Sequence, residues 1–218
     1  MAAQPSRSSR RYAVTLNGMA KTVEFFFDFA SATSYLAFTQ LPKIAAAREA
    51  EISWRPMLLG AVFKATGNVS PVTIAAKGRW MFGDLQLWGE RYGVPFIATP
   101  HFPVNSLTAL RGAVAMQMRM PQEFRRYVDL MFRAIWETHR NFNQQDEIAA
   151  VLREAGFDLD RMLALVSDPA VKLQLTINTD EAVARGVFGA PTFFVGDQMF
   201  FGQDRLEFVA EALDRAAA

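Results

Sequence analysis

Strand-forming residues are confined to the two ends of this chain, and what lies between them reads as helix. Residues 23–29, VEFFFDF, are β-branched and aromatic with few charges, the composition of a buried strand. Ile52, Trp54 and Pro56 alternate with polar neighbours and give a second strand. Residues 33–50, between the two, read as a helix that Pro42 bends or divides. Strand character then returns only at 192–195 and 198–201, which flank Gly196-Asp197 as a β-hairpin would. An apolar strand needs a partner for its backbone groups, so the two ends are expected to meet in one mixed sheet. Residues 58–186 then form a helical insertion between the halves of an α/β domain made of 23–57 and 187–218, with 1–22 as an N-terminal extension.

The middle of the chain shows helical periods. Ile74, Met81, Leu85, Trp88 and Tyr92 fall on one stripe, closed by Gly93 as a C-cap. Leu107, Leu110, Val114 and Met118 form a second behind Asn105-Ser106, both good N-cap types. Phe124, Val128, Met131 and Ile135 form a third, and Ile148, Val151, Leu152 and Ala155 a fourth that ends at Gly156. Asp168-Pro169 has the N-cap and first-turn types of a fifth helix, which stops at Gly186. Near the end, Asp204-Arg205-Leu206-Glu207 has the spacing of a capping box before an apolar face of Leu206, Val209 and Leu213.

Composition narrows the function classes. Apolar residues make up 51% of the 218, enough for a sizeable core. Basic and acidic residues nearly cancel, 23 against 22, so the strongly basic footprint of a nucleic-acid binder is absent. Four of the basic residues, Arg7, Arg10, Arg11 and Lys21, sit in the N-terminal extension, which leaves the body mildly acidic. No apolar run is long enough to span a bilayer, and the N-terminus lacks the apolar core of a secretory signal. There is no cysteine, which excludes disulfides, thiolate metal sites and any dithiol redox cycle, and suits a reducing compartment such as the cytoplasm. His101 and His139 are too isolated to suggest a metal centre. Met116, Met118 and Met120 read as adaptable core or pocket lining.

Two places carry chemistry. In VEFFFDFASATSYLA, a strand delivers the chain through the polar knot ASATS to the start of a helix. Unpaired N–H groups and the helix dipole favour an anion there. Ser31, Thr33 or Ser34 could serve that anion or simply cap the helix. In GVFGAPTFFVGDQMFFGQDR, Pro191 precedes a strand that should be central, where a trans proline would interrupt the ladder. A cis Ala190–Pro191 bond would turn the chain and leave the Ala190 backbone groups open to an extended ligand. The alternative is an ordinary loop proline.

Taken together, the motifs FFFDFASATSYLA, TGNVSP, AAKGRWMFGDLQLW, GVFGAPTFFV and FFGQDRLEF resemble the 2-hydroxychromene-2-carboxylate isomerases, relatives of the kappa-class glutathione transferases and of DsbA-type oxidoreductases. The resemblance spans residues 23–215. It implies a thioredoxin-like mixed sheet with a large all-helical insertion, and glutathione as cofactor. Thioredoxin-like proteins place a redox cysteine at the strand-to-helix junction; the resemblance puts Ser31 there instead, its hydroxyl holding the glutathione sulfur as thiolate. A free thiol of pKa about 8.5 is only about 3% ionised at neutral pH, so such a donor has work to do. By the same resemblance Asn68 contacts glutathione and Lys77 lies near its glycyl carboxylate. Ala190 and Pro191 pair with the cysteinyl part, and Gln203 and Asp204 hold the γ-glutamyl end. Plain alternatives stand beside two of these, a solvated helix face for Lys77 and the capping box for Asp204.

The activity implied is cis-trans isomerisation of an aromatic 2-oxo acid, of the 2-hydroxychromene-2-carboxylate to trans-o-hydroxybenzylidenepyruvate type, in aromatic catabolism. Trp80, Phe82 and Trp88 are candidates for the walls around this small substrate. The resemblance admits a homodimer and gives no nucleic-acid or membrane partner and no metal. Its rivals are a kappa-like transferase that consumes glutathione and a non-catalytic thiol- or peptide-binding module. Two departures stand out: Ala32 occupies the place where the family usually has proline, and His139 is atypical and reads as a surface residue.

Overall fold

In a computed structural model that describes residues 21–216, the two strand-forming ends lie side by side in one four-stranded sheet of order β2-β1-β3-β4. β1 (Thr22–Phe27) pairs in parallel with β2 (Glu51–Pro56), Phe25 facing Trp54. Its other edge pairs antiparallel with β3 (Thr192–Val195), Phe25 facing Phe193, although some 165 residues separate them. β4 (Gln198–Phe201) closes the sheet as the hairpin partner of β3. The basic N-terminal stretch lies, up to residue 20, outside the described residues.

The strand period of two sends alternate phenylalanines into different layers. Val23, Phe25, Phe27 and Phe193 point into the larger core, where Phe25 stacks on Phe193 at 5.2 Å and Phe27 meets Phe132 at 5.8 Å. That face is covered by α1 (Ala32–Ala46), α5 (Phe124–Trp136) and α9 (Leu206–Arg215). Phe26 and Phe194 point the other way, against Val62 of α2 (Leu59–Thr66) and Ala182 of α8 (Pro169–Ala184). Arg185, just past α8, lies 3.8 Å over the Phe194 ring and 2.7 Å from the Glu24 carboxylate, so a charged pair edges this second layer. The remaining helices are α3 (Ala75–Tyr92), α4 (Leu107–Arg119), α6 (Gln145–Glu154) and α7 (Leu159–Ser167).

Local signals and structure agree at most helix ends. Asp168 accepts a hydrogen bond from Ala170 N–H with Pro169 in the first turn, and Gly93 and Gly186 adopt φ of 64° and 83° where α3 and α8 stop. Other details differ. α1 ends at Ala46 rather than Ala50, because the bonds tighten to Arg48 N–H on Ala45 O and Glu49 N–H on Ala46 O, Glu49 takes a φ of 53°, and the chain turns into β2. α2 and α7, short helices of eight and nine residues, are additions. Ile74 and Met118, assigned to apolar stripes, are exposed. The capping box at Asp204 does not form: a 3-10 turn occupies Gln203–Arg205, α9 starts at Leu206, and no side chain caps it. A second cis bond, Phe102–Pro103, accompanies the expected one at Ala190–Pro191.

Candidate active site

β1 runs out at Phe27, and the next residue is a buried acid. Asp28 is 1% exposed. One of its oxygens accepts from Ala30 N–H at 2.9 Å and the other from Leu59 N–H at 2.8 Å, at the start of α2. Ser106, at the start of α4, also hydrogen-bonds it. Burial pushes its pKa up, against these hydrogen bonds, which act to lower it. Asp28 therefore ties the end of β1 to two helices of the insertion. Its carbonyl accepts from Ser31 N–H at 3.0 Å, which sets the turn that begins α1.

Ser31 is the N-cap of α1: its Oγ accepts from Ser34 N–H at 3.0 Å. The same hydroxyl lies 3.1 Å from Ala190 O and 2.8 Å from Thr33 Oγ1, and Thr33 Oγ1 also reaches Ala190 O, at 2.9 Å. Capping and contact with the cis Ala190–Pro191 segment thus coexist in one side chain. Ser31 has a single hydroxyl proton, and Thr33 can satisfy the Ala190 carbonyl by itself. Ser31 can then turn its proton to another acceptor without leaving a buried carbonyl bare. The Ala190 N–H has no acceptor among the described residues.

The other expected residues are reached from this centre. Pro191 O accepts from Gly202 N–H at 3.0 Å, which holds the 3-10 turn of Gln203 and Asp204 against the cis segment. Tyr92, the last residue of α3, donates to Gln203 O at 3.2 Å. The Tyr92 hydroxyl is pushed up to about 12, by burial and then by the nearby Asp204 charge. Asp204 itself is 3.4 Å from its neighbour Arg205 and largely open. Asn68 donates from Nδ2 to Phe188 O at 2.8 Å, joining the loop after α2 to the strand approach that carries Ala190. Lys77 is exposed in the first turn of α3 and makes no hydrogen bond or ion pair among the described residues. It lies about 22 Å along the helix axis from Tyr92, at 1.5 Å per residue. Lys77 and the Tyr92–Gln203 contact thus mark opposite ends of α3.

Of the aromatic candidates, Phe82 meets Phe102 edge-on at 5.8 Å, Trp88 packs on Tyr92 at 5.2 Å, and Trp80 is 70% exposed. His139 is not a surface histidine. It is half-buried with φ of 58°, and its Nε2 is buried without a hydrogen-bond partner among the described residues. The tight turn after α5, in which Arg140 N–H returns to Ala134 O, draws it inward. Sequence reasoning missed Asp28 as the anchor of the site, Thr33 as the second donor to Ala190 and Tyr92 as the support of Gln203. Asp28 did leave a signal, a lone carboxylate in the apolar run FFFDFA. No group of three or more potential metal-ligating side chains occurs among the described residues, and none of the helices is long and apolar enough to cross a membrane.

Comparison with known proteins places this geometry in context. Residues 22–214 match the family model of the DSBA-like thioredoxin domain. The chain is 32% identical over 197 residues to a 2-hydroxychromene-2-carboxylate isomerase of Sphingobium xenophagum, covering 89% of this chain and 99% of that one. It is 28% identical to human glutathione S-transferase kappa 1, with 89% and 92% covered. A solved structure of a 2-hydroxychromene-2-carboxylate isomerase superposes with a TM-score of 0.80 at 31% identity, over 90% of this chain and 96% of that one.

Proposed function

We propose, for a chain that belongs to the 2-hydroxychromene-2-carboxylate isomerase family of DSBA-like thioredoxin-domain proteins, a glutathione-dependent cis-trans isomerase of an aromatic 2-oxo acid, working in aromatic catabolism in the cytoplasm. The observation that carries the reading is the Ser31 hydroxyl at the start of α1, 3.1 Å from Ala190 O, in a chain with no cysteine. A site built as a thiol site is on such a chain a site for someone else's thiol.

The donor set fits glutathione. Ser31 offers a hydroxyl at a helix N-terminus, where negative charge is favoured. Ala190 offers an N–H beside cis Pro191 that no described group accepts from. Asp204 offers an open carboxylate to an ammonium, with Gln203 beside it, and Lys77 offers an unpaired cation to a carboxylate. Asn68 steadies the Ala190 approach through Phe188 O. The chemistry glutathione supplies when bound is reversible thiolate addition to a conjugated alkene, which frees the former double bond to rotate and returns the thiol unchanged. The Ser31 hydroxyl would hydrogen-bond the sulfur and stabilise its anionic form, while Thr33 keeps the Ala190 carbonyl satisfied. Asp28 acts one step back, by fixing the turn on which Ser31 stands. Phe82 and Trp88 give the substrate ring an apolar flank, and the resemblance admits a homodimer.

The similarity to a kappa-class transferase motivates the test. The protein is incubated with glutathione and 2-hydroxychromene-2-carboxylate, and both pools are followed. Conversion to the trans isomer with glutathione conserved supports the proposal. Glutathione consumed in proportion to substrate makes the protein a conjugating transferase. Binding without turnover leaves a thiol-binding module.

A further inference from the structure

Away from Ser31, helices α4, α6, α7 and the start of α8, with Tyr127 of α5, line a cavity of about 210 Å³. Ile148, Leu152, Leu159 and Met162 form the apolar part of its wall, and Thr108, Gln145 and Ser167 add polar groups. Two cations face this wall, Arg111 on α4 and Lys172 on α8, with the Thr108 hydroxyl nearby, and no carboxylate lines it. Neither cation takes part in an ion pair among the described residues. Arg111 Nε is buried and has no hydrogen-bond acceptor there. Among the other arginines of the insertion, Arg119 finds a carboxylate in Asp168, Arg140 finds Glu147 and Glu154, and Arg125 lies over the Trp54 ring. A buried guanidinium donor left bare is unfavourable, and an arginine fork is suited to a planar anion.

We propose that this cavity binds a small organic monocarboxylate with an aromatic or aliphatic body, a second site separate from the one at Ser31. The carboxylate takes the Arg111 guanidinium and the Lys172 charge, and the body lies along Ile148, Leu152 and Met162. Size agrees: an apolar cavity of about 150 Å³ holds a benzene ring, so this one holds a ring with a short carboxylate arm. The site shares no residue with the candidate active site. α4 nevertheless serves both, since Ser106 at its start bonds Asp28 while Arg111 further along faces the cavity.

The probe is trans-cinnamate, titrated calorimetrically into the full chain without glutathione, with uncharged cinnamamide as its control. Cinnamate is expected to bind at least about tenfold more tightly than the amide, and Arg111→Met to weaken it about ten- to a hundredfold, the range for a hydrogen bond to a charged group. Ala149→Leu, which fills the cavity and keeps both cations, is expected to weaken it as well. Ser31→Ala is expected to leave it unchanged. The proposal falls if millimolar cinnamate does not bind, if acid and amide bind alike, or if Ser31→Ala abolishes binding. It falls equally if binding survives in whichever of Arg111→Met and Ala149→Leu remains folded.

Discussion

At the scale of single residues, Ser31 and Asp28 have different parts in the proposed site. Ser31→Ala removes a helix cap, about 0.5–2 kcal/mol, but leaves Ala190 O with Thr33, so the fold should persist. If Ser31 stabilises a thiolate, turnover at pH 7 should drop by up to about thirtyfold, the gap between full and about 3% ionisation of a free thiol. The deficit should close as pH rises past about 8.5, where the thiol ionises unaided. Steady-state rates from pH 6.5 to 9 read this out, and a pH-independent loss would reduce Ser31 to a cap. Asp28 has the opposite character. Its folded pKa lies above its ordinary value of 3.8, so from there up to its folded pKa the folded state holds more protons than the unfolded. Its contribution to stability falls as pH rises through that window. Asp28→Asn leaves Leu59 N–H facing an amide, a deficit of about 1–3 kcal/mol. That deficit should be largest at low pH and shrink toward neutrality; urea denaturation from pH 4 to 7 that shows it growing would mean the carboxylate is the favoured form. Ser31 was legible in sequence because a strand, a polar knot and a helix are consecutive. Asp28 was not, since its partners Leu59 and Ser106 come from elements that only the folded chain brings near.

At the scale of elements, α4 and α5 show how closely the insertion is packed. Tyr127 on α5 donates to Ala109 O on α4 at 3.0 Å, and Gly112 gives its ring room. A Cβ at residue 112 would run into the Tyr127 hydroxyl and lie 3.1 Å from a further ring carbon. Gly112→Ala should therefore destabilise by about 1–3 kcal/mol despite the better helix propensity of alanine. Gly83→Ala in α3, where a Cβ meets nothing within 4 Å, should stabilise by about 0.5–1 kcal/mol. Thermal melts of the pair give opposite signs if packing governs and the same sign if propensity governs. The same division explains which elements were readable. Asp168-Pro169 announced α8 and Gly93 the end of α3, because caps are set by neighbours a few residues away. The four residues of DRLE had the spacing of a box, yet Gly202 N–H is held by Pro191 O and the turn tightens into 3-10 form. There a contact from the distant segment before β3 overrode a local signal.

At the scale of the whole molecule, ligand binding should be visible as stability. Glutathione at one hundred times its dissociation constant should add about 2.7 kcal/mol, which for a chain of this size raises Tm by about 5–10 °C. Scanning fluorimetry over a glutathione series tests this, and a flat melting temperature at millimolar glutathione would argue against the whole site. Such coupling is expected because the candidate residues come from separate segments that only the folded chain brings together, so the unfolded chain offers glutathione no such site. α1 supplies Ser31, the loop after α2 supplies Asn68, α3 supplies Lys77, and the β3 approach and the turn after β4 supply Ala190, Gln203 and Asp204. The sequence alone determined the strand-forming ends, the helical periods between them, the helix start at Ser31 and the absence of any thiol, since each depends on composition or on residues a few positions apart. Tertiary structure decided that β1 would lie between β2 and β3, and that Ser31 and Thr33 would both reach Ala190 O from 159 and 157 residues away. It also decided that Asp28 would be sealed from water and that Arg111 would face a cavity without a carboxylate. Those outcomes depend on which faces pack together, and a side chain's partner across such a face is not encoded within its own stretch of chain.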